Sequence, residues 1–280
     1  MKTIGFLLTV VLFLCLSQVN AQDNVQGMIR EGILMANALT ERNIELLRAE
    51  FDVLKAGDNT RSSYRFLYAG QTYAIQAFGD MAIKDVDVVL YTSSGGNWVE
   101  VARDNTSAST ATVSVAPEVT ALYRIDVIAY SFNPGFSYGN YGLFVASRTN
   151  GTSKLISDVM LNSLAHLDNM DDSGYSLVRA EFDIVNETTL TTKSMWRNLL
   201  GGVTYYALAY GGSGIQDISL CIYRREGSDW ILQDKQDPLE PIAVALTTPL
   251  DDGFYRFDVG ASFKEGYSGD IYGLFLFLKQ

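Results

Sequence analysis

The sequence predicts an all-β protein: two tandem antiparallel β-sandwich domains, each preceded by an amphipathic helix. Three observations predict it. First, the chain repeats itself. Arg48-Ala49-Glu50-Phe51-Asp52 returns as Arg179-Ala180-Glu181-Phe182-Asp183, and Tyr123-Arg124-Ile125-Asp126-Val127 returns as Tyr255-Arg256-Phe257-Asp258-Val259. Tyr141-Gly142-Leu143-Phe144 returns as Tyr272-Gly273-Leu274-Phe275, and the offset stays at 131 or 132 residues throughout. That period is the length of a whole domain and far longer than a solenoid unit. Second, each copy opens with apolar residues three and four apart. Third, the period then falls to two, in short runs separated by turn residues, which is the pattern of a β-sandwich.

Residues 1–21 read as a secretory signal peptide. Lys2 gives a positive start, 4–16 are apolar, and Val19-Asn20-Ala21 suits a small-residue cleavage site before Gln22. The apolar run is too short to span a bilayer, and bulky Leu12-Phe13-Leu14 before Cys15 do not suit lipidation there. The expected address is therefore secreted, periplasmic or at the cell surface, with no membrane span.

Copy one occupies 22–149. Met28, Ile29, Ile33, Met35, Ala36, Leu39, Ile44 and Leu47 predict an amphipathic helix over about 26–47. Ala49, Phe51 and Val53 then face one way, and Arg48, Glu50 and Asp52 the other. Tyr64, Phe66 and Tyr68 alternate before an Ala69-Gly70-Gln71 turn. Runs at 73–77, 86–90, 98–101, 112–116, 122–129 and 141–146 complete seven or eight strands. Copy two occupies 150–280, entered through the polar stretch Asn150-Gly151-Thr152-Ser153. Its helix is expected over 154–170, and its strands at 180–184, 205–210, 218–223, 230–232, 243–247, 255–259 and 272–277.

Ala69-Gly70-Gln71-Thr72-Tyr73, Asp85-Val86-Asp87-Val88-Val89-Leu90-Tyr91, Tyr123-Arg124-Ile125-Asp126-Val127 and Tyr141-Gly142-Leu143 together resemble the bacterial pre-peptidase C-terminal domain. The resemblance covers most of each copy after its helix. It implies a jelly-roll-like sandwich of the kind appended to secreted enzymes, often peptidases, where it aids secretion, substrate binding or surface attachment. In some members acidic residues bind calcium. Copy two departs from the pattern: Ser219 stands where copy one has Asp87. No enzyme domain accompanies the two copies in this sequence.

Composition narrows the function. Setting aside residues 1–21, which hold Lys2, leaves 20 Lys+Arg against 32 Asp+Glu, a net charge of −12. Such a chain is repelled by phosphate backbones and anionic headgroups, so nucleic acid is not an expected partner. Beyond residue 21 the only cysteine is Cys221, so no internal disulfide is expected. It sits in a strand-like run and reads as a small buried hydrophobe.

The only histidine is His166, on the second helix. One imidazole and one thiol make neither a zinc site nor a nucleophile–base pair shared by both copies. The residues therefore predict a non-enzyme with no required cofactor. Asp and Glu abound, so a carboxylate-dependent hydrolase stays open as the last reading.

Asp85 and Asp87, two residues apart on a strand, are the candidate calcium ligands; the same pattern also fits a charged outer face. Residues 131–137 and 262–268 form matched loops with two aromatics around a glycine. Phe136, Tyr138 and Tyr267 are the candidate binding aromatics there, while Phe132 and Phe263 are expected to plug the sandwich end. Trp98 and Trp230, each after a hairpin turn, are candidates too, or else pack on their hairpins. Arg124/Asp126 and Arg256/Asp258 are expected to form cross-strand ion pairs on an outer face. The sequence thus points to a non-catalytic interaction module for an extracellular protein partner, with a polysaccharide partner as the alternative.

Overall fold

The computed structural model describes residues 25–148, 156–187 and 191–279. The predicted signal peptide, Cys15 and the polar stretch 150–153 lie outside the described residues. The chain divides into two compact units, Met1–Ser153 and Lys154–Gln280.

Unit 1 holds α1 (Val25–Thr40) and eight strands: β1 (Glu45–Lys55), β2 (Thr60–Leu67), β3 (Tyr73–Gly79), β4 (Ile83–Ser94), β5 (Asn97–Asp104), β6 (Thr110–Val115), β7 (Ala121–Phe132) and β8 (Tyr138–Ser147). They form two antiparallel sheets, β1-β8-β3-β6 and β2-β7-β4-β5. Unit 2 repeats the plan with α2 (Ile156–Asp172), β9 (Tyr175–Asn186), β10 (Thr191–Leu199), β11 (Tyr205–Gly211), β12 (Ile215–Glu226), β13 (Asp229–Gln236), β14 (Ile242–Thr247), β15 (Gly253–Phe263) and β16 (Gly269–Lys279). Its sheets run β9-β16-β11-β14 and β10-β15-β12-β13. The all-β sandwich expected from the period-two pattern is the fold of each unit.

Each sandwich closes on side chains that alternate inward from both sheets. Ile75, Val86, Val88, Leu90, Ile125 and Val127 are buried in unit 1, and Ala207, Ile218, Leu220, Ile222, Phe257 and Val259 at the same places in unit 2. Such burial is the main favourable term of the fold, since the described chain carries no disulfide. Each unit has its own core and is expected to fold alone. Residues 22–149 and 152–280, expressed separately, should each melt cooperatively; two non-cooperative fragments would overturn the reading.

The first sheet of unit 1 is also buried on its outer face, where α1 lies. Phe51, Phe78 and Phe144 pack edge to face there, with centroids 5.2–6.4 Å apart. Gly32 lets the helix approach: a Cβ would stand 2.6 Å from the Phe51 ring. In unit 2 Phe182 and Phe275 repeat the contact at 5.4 Å, and His166 of α2 packs on Tyr210 at 5.3 Å.

The structure corrects two sequence expectations and settles a third point that the alternation left open. α1 ends at Thr40, so Ile44 and Leu47 are not helical. Asn43 takes φ 57°, its amide bonds the Thr40 carbonyl, and the Ile44 amide bonds the Leu39 carbonyl. This is a Schellman stop, with buried Leu39 and Ile44 as its apolar pair. Strand β10 was not expected; in sequence it is mostly polar. Finally, Arg48, Glu50 and Asp52, on the alternate face of β1, are buried. Arg48 pairs with Glu50 at 2.6 Å, Ser63 donates to Glu50, and Arg179 pairs with Glu181 at 2.8 Å in unit 2. The repeated Arg-Ala-Glu motif is thus a buried ion pair, built twice.

One buried carboxylate is supplied from opposite strands in the two units. In unit 1 Asp80, in the β3–β4 turn, accepts from the Ala82 amide (3.0 Å) and from the Asn140 amide and side chain (2.8 and 2.7 Å). At the corresponding place in unit 2 the turn has Gly212, and the carboxylate comes from Asp270 on β16. It accepts from the Gly214 and Ile271 amides, which match Ala82 and Asn140. Gly139 stands at the position of Asp270; a Cβ on it would come 2.8 Å from an Asp80 oxygen, and one on Gly212 2.9 Å from an Asp270 oxygen.

Candidate binding faces

The second sheet of each unit carries the candidate site on its outer face. In β7, Tyr123, Ile125 and Val127 point into the core, so Arg124 and Asp126 point out. The register sets Tyr64 of β2 and Tyr91 of β4 on either side of Arg124, with Trp98 of β5 opposite Ser93. The Arg124 guanidinium lies 4.2 Å from the Tyr91 ring centre and 5.4 Å from Trp98, and Trp98 packs on Tyr64 at 5.7 Å. Asp126 holds the guanidinium at 3.1 Å and accepts from Ser62 at 2.7 Å.

Unit 2 rebuilds this arrangement. Arg256 is held between Tyr223 (4.6 Å) and Trp230 (4.8 Å), with Asp258 3.0 Å away. Trp196 of β10, opposite Arg256, packs on Trp230 at 5.6 Å, and Phe254 lies 6.0 Å from both. Burial, then Cys221 and Asp258, push the Tyr223 hydroxyl above its ordinary range, keeping it a protonated donor. Guanidinium stacking on aromatic rings fixes the rings from beneath. The outermost rings stay open: Tyr64 is 47% and Trp196 46% exposed.

Trp98 and Trp230 therefore do not pack merely on their own hairpins; they span the sheet face. The ion pairs Arg124–Asp126 and Arg256–Asp258 run along one strand, not across two, and Asp126, Arg256 and Asp258 are buried. Cys221 lies half-buried on this outer face, in register with Asp258 and Lys235, and is not a core residue. Trp196 was missed because its strand was. Its signal was available: the offset that pairs Trp98 with Trp230 pairs Tyr64 with Trp196.

The loop aromatics lie elsewhere. Phe136 is 42%, Tyr267 47% and Tyr138 56% exposed, while Phe132 and Phe263 pack against the cores. Gly135 (φ 91°) and Gly266 (φ 86°) reverse the chain between each pair of aromatics. These loops meet the start of β4 and β12, whereas Trp98 and Trp230 face their far ends. The structure does not bring the two groups of candidates together.

Asp85 and Asp87 are both buried at a bulge in β4. Asp85 accepts from Ser107 (3.1 Å) and the Ala108 amide (3.2 Å). Burial, then the charges of Asp85 and Asp104, raise the Asp87 carboxyl above its ordinary range, against an opposing effect of Arg103. Among the described residues no three acidic, histidine or cysteine side chains are grouped to hold a metal ion. Calcium takes six to eight oxygens, of which these two carboxylates would supply a part.

A raised folded-state carboxyl means that ionised Asp87 opposes folding. Its contribution is favourable below the unfolded value and lost as pH rises through the folded one. Asp87→Asn is therefore expected to raise the melting temperature at neutral pH, with a gain that shrinks as pH falls through the carboxylate range. A variant that melts lower at neutral pH would refute this.

No family model and no curated protein sequence matches the chain. Among solved structures, the chain is similar to the pre-peptidase C-terminal domain of collagenase from Bacillus anthracis, at 21% identity and TM-score 0.27, over 35% of this chain and 89% of that one. It is similar to the PBSX exported protein XepA at 12% identity and TM-score 0.27, over 92% of this chain and 89% of that one. It is also similar to a tandem CBM22 domain of Paenibacillus barcinonensis Xyn10C at 9% identity and TM-score 0.23, over 85% and 94%. At these values the likenesses do not place the chain in a family.

Proposed function

We propose that this is a secreted, non-catalytic binding protein whose docking surfaces are the aromatic outer faces of β2-β7-β4-β5 and β10-β15-β12-β13. One observation carries the reading: the same set is built twice while its surroundings differ. Tyr91, Trp98, Arg124 and Asp126 correspond to Tyr223, Trp230, Arg256 and Asp258, and Tyr64 to Trp196. Neighbours on the same face change: Phe66 to Asn198, Asp87 to Ser219, Val89 to Cys221, Glu100 to Leu232. Tyr, Trp and Arg are the residues that concentrate binding energy at interfaces. The face is open, which suits an extended partner better than a small substrate. The acidic chain disfavours nucleic acid as that partner.

The mature chain should bind to insoluble extracellular material from the cells that produce it. Trp196→Ala, which removes a half-exposed ring, should weaken retention about tenfold while leaving the melting temperature within a few degrees. Retention unchanged by both Trp196→Ala and Tyr64→Ala would refute these faces as the site. No turnover of generic peptide, ester or glycoside substrates is expected; turnover abolished by His166→Ala or Cys221→Ala would make the protein an enzyme. Calcium at Asp85 and Asp87 would require millimolar calcium to raise the melting of unit 1 and not of its Asp87→Asn variant.

A further inference from the structure

The outer edge of the first sheet is guarded in unit 1 and open in unit 2. β6 and β14 are the last strands of those sheets. Gly211 donates to the Pro241 carbonyl, so Ala243 and Ala245 turn their backbone groups to β11 as Pro241 does. Ile242, Val244 and Leu246 turn theirs to the open side. The matching residues of β6 are Thr110, Thr112 and Ser114. There the Thr112 amide donates to Asp104 at 2.7 Å, while the other Asp104 oxygen holds Thr106. A charged side chain on an edge amide keeps another strand from pairing there. Unit 2 has Gln236 at the place of Asp104, and its amide turns away to Asp234 at 3.1 Å. Among the described residues no side chain is bonded to an outward amide of β14.

The side chains differ in the same direction. On the outer face Tyr206, Leu208 and Tyr210 of β11 stand opposite Leu246, Val244 and Ile242. Unit 1 has Ser114, Thr112 and Thr110 in place of those three aliphatics. Leu246 is 52% exposed. β14 is thus apolar on both faces, with Ala243 and Ala245 in the core, and no charged residue lies within Ile242–Thr247. The edge strands β2, β5, β10 and β13 all carry charged side chains.

We infer that β14 pairs with β14 of a second copy of this chain, antiparallel about a two-fold axis at Val244. The segment is its own complement: Val244 meets Val244, and Ile242 meets Leu246, along one apolar face. The outward backbone groups of the same three residues supply the hydrogen bonds. An uncharged strand brings no like charges together on the axis, which the other edges would do. An isologous contact closes at two, and guarded β6 gives no route to further growth. The contact lies on the first sheet of unit 2 and does not depend on the aromatic faces.

Sedimentation velocity of residues 22–280 should show monomer and dimer in exchange, half-dimerised at about 10–100 µM, as suits a small interface. Salt should strengthen the dimer, because it screens the repulsion between two acidic chains. Hydrogen exchange over 242–247 should slow in the dimer, and exchange over 110–115 should not change. Leu246→Lys, at an exposed position, should weaken the dimer about tenfold or more and leave the melting temperature within a few degrees. Ser114→Lys, its match in unit 1, should have no effect on assembly. Gln236→Asp, which places a carboxylate where unit 1 has its guard, should weaken the dimer too. A monomer at every concentration up to about 1 mM would overturn the inference. So would a dimer indifferent to both Leu246→Lys and Gln236→Asp, because β14 would then lie outside the contact. A dimer lost with Leu246→Lys, yet with exchange over 242–247 equal in monomer and dimer, would replace strand pairing by contact of side chains alone. Growth beyond two copies would refute the guarding of β6.

Discussion

Asp80→Gly is expected to cost unit 1 about 3 kcal/mol, and adding Gly139→Asp to recover at least half of that loss. The loss follows from three donors, the Ala82 amide, the Asn140 amide and the Asn140 side chain, that share one buried acceptor. Each buried donor left unmatched costs about 1–3 kcal/mol, and local relaxation returns part of it. The recovery follows from unit 2. There Asp270 reaches the same two backbone amides from the other strand, across Gly212. Gly139→Asp alone should also destabilise, because its Cβ would stand 2.8 Å from an Asp80 oxygen and 2.6 Å from Ile83. Two carboxylates would then compete for one place. The three variants form a double-mutant cycle with a large favourable coupling. Calorimetric unfolding of the mature chain would read it, with the unit 1 transition moving and the unit 2 transition fixed. Two single losses that merely add would refute the exchange.

The second large effect is on the platform. Arg256→Met should destabilise unit 2 by about 3–5 kcal/mol, the usual result of removing one member of a buried ion pair. Arg256 is 9% and Asp258 5% exposed, so Asp258 would keep its burial and lose its guanidinium. Tyr223 and Trp230 would lose the group they both stack on. Losing the guanidinium makes the charge on Asp258 costlier, so the deficit should shrink as pH falls through the carboxylate range. Replacing both members, Arg256→Met with Asp258→Leu, should come close to the wild-type stability, since desolvation of both charges is then avoided. Melting curves of the three proteins from neutral to acidic pH decide it. A single variant within about 1 kcal/mol of wild type would place the pair among exposed, weakly contributing ones.

The separation between sequence and structure runs along a physical line. Features that depend on near neighbours were legible. The offset of 131 or 132 residues, the two opening helices and the alternation of Ile75, Val86, Val88 and Ile125 all follow from local periodicity. Trp98 and Trp230 stood out because a tryptophan after a hairpin turn is conspicuous in a chain with three. Residues 191–199 carry little apolar alternation, so β10 and its Trp196 went unseen although the repeat marked the place.

What the sequence determined by itself is the plan: two copies, all-β, each with a helix first, acidic, and without the residue sets of common catalytic sites. Only the tertiary structure decided which polar residues are inside. Arg48 and Glu50 only alternate with Ala49 and Phe51 in sequence; they are buried because Ser63 and the second sheet close over them. Asp80 and Asp270 lie at unmatched positions in the alignment of the copies, yet they fill one place because different strands converge there. The aromatic faces likewise gather side chains from four strands each, at sequence separations no local pattern records. Periodicity fixes which way a side chain points from its own strand; which strand lies opposite, and so what that side chain meets, is set by pairing and packing alone.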